Sequence, residues 1–436
     1  MAVTGRQRET AEAAEGCVGP ARGTEQGLTF AVNITEWKRA LLKQYFPDRH
    51  FHFLPKNLSE RDFERLWKPR ILAAQAAELF VWGPELPAVL AALATVRSIP
   101  VWFVEDGFLR SARPSASRTP PLSLALDSRT PYFDCRKASD LEELLSTYDF
   151  EADRPLMARA RAGIDLLIES GISKYNGARP QTAETVYGEK TKKRVLVIGQ
   201  VEDDASIRYG CPVPMTNNDL VQLAATEQPE AQILYKPHPD VLSRVRPAKS
   251  DPAEVAHLCE MVTKRLPLAE ALRTVDHVYT VTSLAGFEAL MRGIRVTTGG
   301  SPFYSGWGLT DDRQPNPRRG RSLSLEALFA GAYLLYPRYF DPETGAHTSF
   351  EATVATIRRQ LEEPEALSPP RPAWRAWGPY GLLGWRHLLT AAVAPTIRRA
   401  GNDRDVEDFR ADPIRFFRGL SDRKLRIIGR ILYPFG

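Results

Sequence analysis

Short apolar runs that end in glycine or in polar clusters alternate along this chain with segments whose apolar residues recur every three or four positions. The first pattern predicts buried strands, the second helices packed on them. LFVWG (Leu79 to Gly83) reads as a strand; Leu86, Val89, Leu90 and Leu93 mark a helical face, and IPVWFVEDG (Ile99 to Gly107) is the next strand. Further on, RVLVIG (Arg194 to Gly199), a helix over about Asn218 to Glu227, QILYKP (Gln232 to Pro237) and a helix holding Leu268, Ala271 and Leu272 repeat the alternation. The densest stretch runs from Val278 to Thr310. It reads as a β-branched strand, the pair Thr282-Ser283, a helix with Leu284, Phe287, Leu290 and Met291 on one face, a stop at Gly293, and the strand IRVTTGG. Ser or Thr is the preferred helix cap, and a helix start with free N–H groups favours an anion, so a phosphate or carboxylate site is expected beside Ser283. An ordinary capped βαβ unit would read the same way.

Alternating strands and helices argue for an α/β protein with parallel sheets. The polar segment Tyr175 to Lys193 is the expected linker, so the simplest architecture is two Rossmann-like halves with a cleft between them. The expected divisions are a polar, disordered tail (1–27), an N-terminal half (28–185), a C-terminal half (193–342), a closing helix from Phe350 to Glu362 with a Pro-rich joint (343–370), and an extension (371–436). No solenoid repeat is evident.

At 43% hydrophobic and 25% charged, the 436 residues suit a globular chain of two to three domains. No apolar run is long enough to span a membrane and the N-terminus lacks a signal-peptide pattern, so a cytoplasmic location is expected. The four cysteines (Cys17, Cys135, Cys211, Cys259) show no metal or redox spacing. The net charge of +5 is uneven: from Arg371 to Gly436, 13 Lys plus Arg against 6 Asp plus Glu leave +7, and the rest of the chain −2.

In doubly wound folds ligands bind beyond the carboxyl ends of the strands. Four polar clusters fall there: Glu105-Asp106-Gly107, Gln200 to Asp204, Lys236-Pro237-His238-Pro239, and Thr282-Ser283. The two prolines fix the His238 loop, and His238 beside Lys236 suits a phosphate. The run Glu202-Asp203-Asp204 reads as a nucleophile or base, or more plainly as a solvated acidic turn. Glu105 on the other half would face it as the second carboxylate of glycosyl chemistry. Tyr304 and Trp307, set among glycines, could pack on a sugar or base, or fill a packed loop. No metal and no cofactor is implied.

Together EDGFLRS (Glu105 to Ser111), PPLSLALD (Pro120 to Asp127), SKYN (Ser173 to Asn176), GQVEDDASIRYG (Gly199 to Gly210), YKPHPDV (Tyr235 to Val241), TSLAGFEALMRG (Thr282 to Gly293), GSPFYSGWGLT (Gly300 to Thr310) and LYPRYFDP (Leu335 to Pro342) resemble the KpsC/LipA group of capsule polysaccharide β-Kdo transferases, in particular the second module of its two-module members. The resemblance runs from about Thr29 to Pro342. It implies a GT-B glycosyltransferase using CMP-Kdo (an activated 3-deoxy-manno-octulosonic acid) with retention. The N-terminal half would serve the acceptor and the C-terminal half the CMP-sugar. It implies Asp204 as nucleophile and Glu105 as acid/base. Gln200 would lie in the donor site, and His238, Pro239, Thr282 and Ser283 would hold the CMP. For the sugar carboxylate, Lys236, Arg110 and Arg208 are candidates from charge alone. The implied partners are a lipid-linked glycan acceptor and capsule assembly or export proteins at the inner membrane, with no nucleic acid. Two other readings remain: a non-catalytic capsule export or assembly protein, and a transferase of another CMP-activated acidic sugar such as a sialic acid.

The chain departs from the family in three ways. ARPSASRTPP, after EDGFLRS, has no glycine; only one module is present; and the extension after about Arg371 lies outside the resemblance. Trp374, Trp377, Tyr380, Leu382, Leu383 and Trp385, followed by RKLRIIGRILYPF, suit either peripheral attachment to the membrane or a helical appendage packed on the body.

Overall fold

The computed structural model describes residues 27–56, 58–112, 119–174, 176, 181–238, 241, 249–264, 266–362, 387–400, 405–406, 409–410, 413–418, 420 and 423–433. The expected tail, Pro239, most of the ARPSASRTPP segment, the Pro-rich joint and Trp374 to Trp385 lie outside them. The strands in chain order are β1 (Leu28–Val32), β2 (His50–Phe53), β3 (Ala77–Trp82), β4 (Val101–Asp106), β5 (Ser123–Asp127), β6 (Arg194–Ile198), β7 (Gln232–Lys236), β8 (Glu260–Met261), β9 (His277–Thr280), β10 (Arg295–Thr298), β11 (Asp311–Asp312), β12 (Arg338–Phe340) and β13 (His347–Thr348). The contacts group into two compact units. One holds Glu105–Asp341 and His347–Arg358; the other holds the described residues of Gly23–Val104, Pro342–Ala346 and Arg359–Gly436.

In the first unit a wholly parallel six-stranded sheet runs β11-β10-β9-β6-β7-β8. β6 and β9 at its centre are buried along their whole length, which is why their apolar residues are consecutive (VLVI and VY) rather than alternating with polar ones. Val195, Val197, Leu220, Val221, Ala224 and Tyr279 form the core under the capped helix Asn217–Glu227. The same unit holds β5, paired antiparallel with β12, which pairs antiparallel with β13. The segment expected to be a bare linker contains a helix, Ala183–Tyr187, whose Thr182 cap accepts from the Thr185 amide. The buried Tyr187 hydroxyl donates to the Ala271 carbonyl, so this piece is part of the unit.

In the second unit β2, β1, β3 and β4 pair in parallel in that order. Phe30, Val32, Leu79, Val81 and Leu90 form its core, Leu90 coming from the helix Ala88–Arg97. The C-terminal helices His387–Ala400, Pro413–Arg418 and Arg423–Leu432 close around Ala394, Phe409, Phe417 and Tyr433. They belong to this unit: Lys56 bridges to Leu420, and its ammonium lies 3.7 Å from Asp405. The described part of the extension is therefore a folded appendage. Among the described residues no helix is long and apolar enough to cross a membrane.

Candidate functional site

Read by chain position, the six-stranded sheet has the order 3-2-1-4-5-6, with β6 first. After β8 the chain returns past β6 to lay down β9 on its other side. That reversal opens a crevice at the carboxyl ends of β6 and β9, where such sheets bind nucleotides. The residues there are Gln200 and the Thr282-Ser283 pair. Gln200 is buried, and its amide clamps the two strand ends: Oε1 accepts from the Thr282 amide at 2.8 Å and Nε2 donates to Thr282 Oγ1 at 3.1 Å. Its backbone is held in turn by Asn217, which accepts from the Gln200 amide and donates to its carbonyl, both at 2.9 Å. Gln200 thus acts as a brace. Ser283 caps the helix Leu284–Met291 and accepts from the Ala285 amide, as the sequence predicts. The helix start is pinned from below by Tyr304, whose hydroxyl donates to the Ser283 carbonyl. Gly286 is required there, since a Cβ would meet that hydroxyl.

The three carboxylates after Gln200 separate by environment. Glu202 is buried and fully committed, accepting from the Asn217, Lys249 and Ser250 amides at 2.7–2.9 Å and from the Ser250 hydroxyl. It is an anchor for the loop. Asp203 and Asp204 are exposed. Asp204 caps the helix Ala205–Gly210: its Oδ1 accepts from the Ser206 amide (2.9 Å) and hydroxyl (2.8 Å). These bonds hold one oxygen in a fixed direction and leave Oδ2 for other work. Arg208 is exposed on this helix, 5.4 Å from the Tyr209 ring centroid.

Lys236 is the last residue of β7, and burial holds its ammonium below the usual lysine range with no carboxylate contributing. A desolvated cation at a strand end is a ready partner for an anion. His238 follows, half-buried, its carbonyl accepting from Val241 N at 3.0 Å.

Glu105 and Asp106 end β4 and belong to the same unit as Asp204. The turn after them is set by Gly107, where a Cβ would collide with Ser123, and by Phe108, buried against Phe303 and Tyr333 at centroid distances of 4.6 and 5.4 Å. Arg110 is wholly buried. Its Nε donates to Asp106 Oδ2 at 2.6 Å and its Nη1 to Ser111 Oγ at 2.9 Å, while Nη2 takes no partner among the described residues. From Ser111 the hydrogen bonds continue. Asn176 Nδ2 donates to the Ser111 carbonyl (3.1 Å), Asn176 Oδ1 accepts from the Ser173 amide (3.0 Å), and Ser173 Oγ donates to the buried Glu288 (2.8 Å). Glu288 sits on the helix that Ser283 caps, and burial pushes its carboxyl up. Reading of the sequence missed Ser173, Asn176 and Glu288 as one system. The only signal was the SKYN motif itself, because Ser173 and Glu288 are 115 positions apart.

Two expected ligand contacts fail. Tyr304 and Trp307 have no exposed surface, and the Trp307 indole donates to the Phe303 carbonyl at 2.8 Å. Both fill the unit's interior, and neither offers a ring face to a sugar. The glycines around them serve the turn: Gly306 has φ of 82° and its amide donates to Asp312. Among the described residues no group of three or more His, Cys, Asp or Glu side chains is placed to hold a metal.

An α/β protein of GT-B type, with its polar strand ends gathered at a Rossmann switch point, is what these features define. Residues 78–339 match the family described as capsule polysaccharide biosynthesis protein, and the chain belongs to that family. It is 42% identical over 338 residues to the lipopolysaccharide-processing protein LpsZ of Rhizobium meliloti, covering 77% of this chain and 76% of that one. It is 37% identical to the capsule polysaccharide modification protein LipA of Neisseria meningitidis serogroup B, again over 77% of this chain, and spans 46% of that protein's length. Among solved structures, the β-Kdo 2,4 and 2,7 transferases of Thermosulfurimonas dismutans KpsC are similar over 77% of this chain and 99% of theirs. Their TM-scores are 0.64 and 0.59, at 30% and 33% identity.

Proposed function

We propose that the protein is a retaining glycosyltransferase of capsule polysaccharide biosynthesis, moving Kdo from CMP-Kdo onto a lipid-linked capsular linker acceptor at the cytoplasmic face of the inner membrane. The observation that carries this is the switch point itself: the 3-2-1-4-5-6 sheet brings an exposed, oriented carboxylate, a desolvated lysine and a capped helix start to one end of one sheet. The similarity to the two KpsC transferases supplies the sugar.

In this reading the Ser283 helix start and His238 receive the CMP phosphate, while Lys236 or Arg110 takes the anomeric carboxylate. Asp204 Oδ2 attacks the anomeric carbon as the bond to the CMP phosphate breaks, giving a glycosyl–aspartate ester and CMP. Glu105 then takes the proton from an acceptor hydroxyl, whose oxygen displaces Asp204. Two inversions amount to retention. The test is purified protein with CMP-Kdo and a synthetic Kdo-primed acceptor, followed by CMP release and product mass. An Asp204→Asn variant that transfers at the wild-type rate would remove the nucleophile from this scheme. Transfer from CMP-sialic acid in preference to CMP-Kdo would replace the donor.

A further inference from the structure

The helix Arg423–Leu432 presents apolar side chains both inward and to solvent. One face packs inward: Gly429 lies against Phe417, where a Cβ would clash, and the following Tyr433 is buried among Phe409 and Phe417. The other face carries Leu425, Ile427, Ile428 and Ile431, which are 41%, 47%, 45% and 69% exposed. Side chains that large are not placed side by side on a soluble surface without a partner. The exposed Lys424 and Arg430 lie on the same helix, and residues 371–436 carry a net +7. The helix also lies beyond the family match, which ends at residue 339, so the transferase fold does not need it.

We infer that this helix is a membrane-docking element, seating Leu425, Ile427, Ile428 and Ile431 in the headgroup boundary of an anionic bilayer. A short isoleucine face within a basic segment has the chemistry of interfacial attachment: the apolar area enters the acyl boundary and the surrounding cations attract anionic lipid. A second protein copy would have to tolerate the +7 segment facing itself, which argues for lipid. The inference rests on the membrane placement of the proposed function and on none of its sugar chemistry.

The experiment is co-sedimentation of the full chain with vesicles of phosphatidylethanolamine and phosphatidylglycerol, and with neutral phosphatidylcholine vesicles. The wild type is expected to bind the anionic vesicles, to release in high salt, and to ignore the neutral ones. The triple variant Ile427→Ser/Ile428→Ser/Ile431→Ser is expected to bind about tenfold or more weakly, with unchanged circular dichroism and unchanged transfer to a soluble acceptor. A Lys424→Glu/Arg430→Glu variant keeps the apolar face and should lose the preference for anionic lipid. Wild type that binds no vesicle, a triple variant that binds equally well, or a wild-type dimer that the triple variant abolishes would each overturn the inference. If vesicle binding behaves as expected and no transfer is seen, the proposed chemistry fails and the docking element stands.

Discussion

The two ends of the six-stranded sheet handle charge in opposite ways. At the amino end, Arg194 is fully buried and every guanidinium nitrogen is spent: Nε on Gln232 (2.8 Å), Nη1 on Thr274 (2.6 Å) and Nη2 on the Gly188 carbonyl (3.1 Å). Its backbone amide donates to Asp276, which also pairs with Lys190 at 2.7 Å. At the carboxyl end Lys236 is desolvated without a compensating acid, and Asp204 stands exposed with one oxygen uncommitted. Arg110, in the turn after β4 in the same unit, keeps a buried nitrogen without a partner among the described residues. A buried charge that is fully satisfied is architecture. A charge kept short of partners costs stability unless something else supplies them, as an anionic ligand would.

That contrast can be broken by mutation. If Asp204 is the nucleophile, as proposed, the largest effect is expected from Asp204→Asn, which should lower transfer by about 1,000-fold or more. Asparagine caps a helix as well as aspartate, so the melting temperature should hold, and calorimetry beside the CMP-release assay separates the two readouts. Next comes Arg194→Met, expected to cost about 3 kcal/mol in urea unfolding by stranding Gln232, Thr274 and the Gly188 carbonyl, with kcat per folded molecule unchanged. A wild-type stability for that variant would show that the amino end is not the rigid one.

Lys236→Met should do the reverse. Removing a desolvated ammonium is expected to leave the melting temperature equal or higher, while KM for the CMP donor rises about 10- to 100-fold. Unchanged KM would take Lys236 out of the donor site.

The smallest effect belongs to pH. Burial first, then nearby cations, lower the His277 pKa to about 4 at the amino end. The unfolded chain then binds a proton that the folded one refuses, so stability from this group is present above about pH 6.5 and is lost as pH falls toward 4. Asp127, raised by burial to about 6, acts oppositely. The difference between wild type and His277→Gln therefore isolates the histidine, and that difference should fall away across this window.

Legibility in the sequence followed burial. β6 and β7 announced themselves because strands covered on both faces carry consecutive apolar residues, VLVI and ILY, and the Ser283 cap because its residue type is the signal. β5 escaped notice: SLALD is buried at all five positions yet starts and ends in polar residues, with Asp127 held by the Arg129, Thr130 and Asp140 amides and the Tyr336 hydroxyl. The helix Arg154–Ser170 was hidden by its three arginines, all of them exposed. In the site, residue type could not tell Glu202 from Asp204, since three adjacent carboxylates look alike until their partners are known. Tyr304 and Trp307 misled for the same reason: an aromatic beside glycine reads as a ligand platform or a packed loop, and only burial decides. The commitment of Glu202 and the seating of Tyr304 reside in contacts across 15 to 48 positions, which periodicity does not encode.

The string from Asp106 through Arg110, Ser111, Asn176 and Ser173 to Glu288 has a consequence for synthesis. A chain emerging from the ribosome releases Glu105 first and Glu288 some 180 residues later, roughly 10–40 s at ordinary elongation rates. Until then Arg110 has its neighbour Asp106 but not the brace behind Ser111, and the acidic strand end is unfinished. The pairings β1–β2, β1–β3 and β3–β4 meanwhile need no later residue. Growth of the chain therefore imposes an order on assembly, in which the strand end bearing Glu105 is completed by the same helix that Ser283 caps.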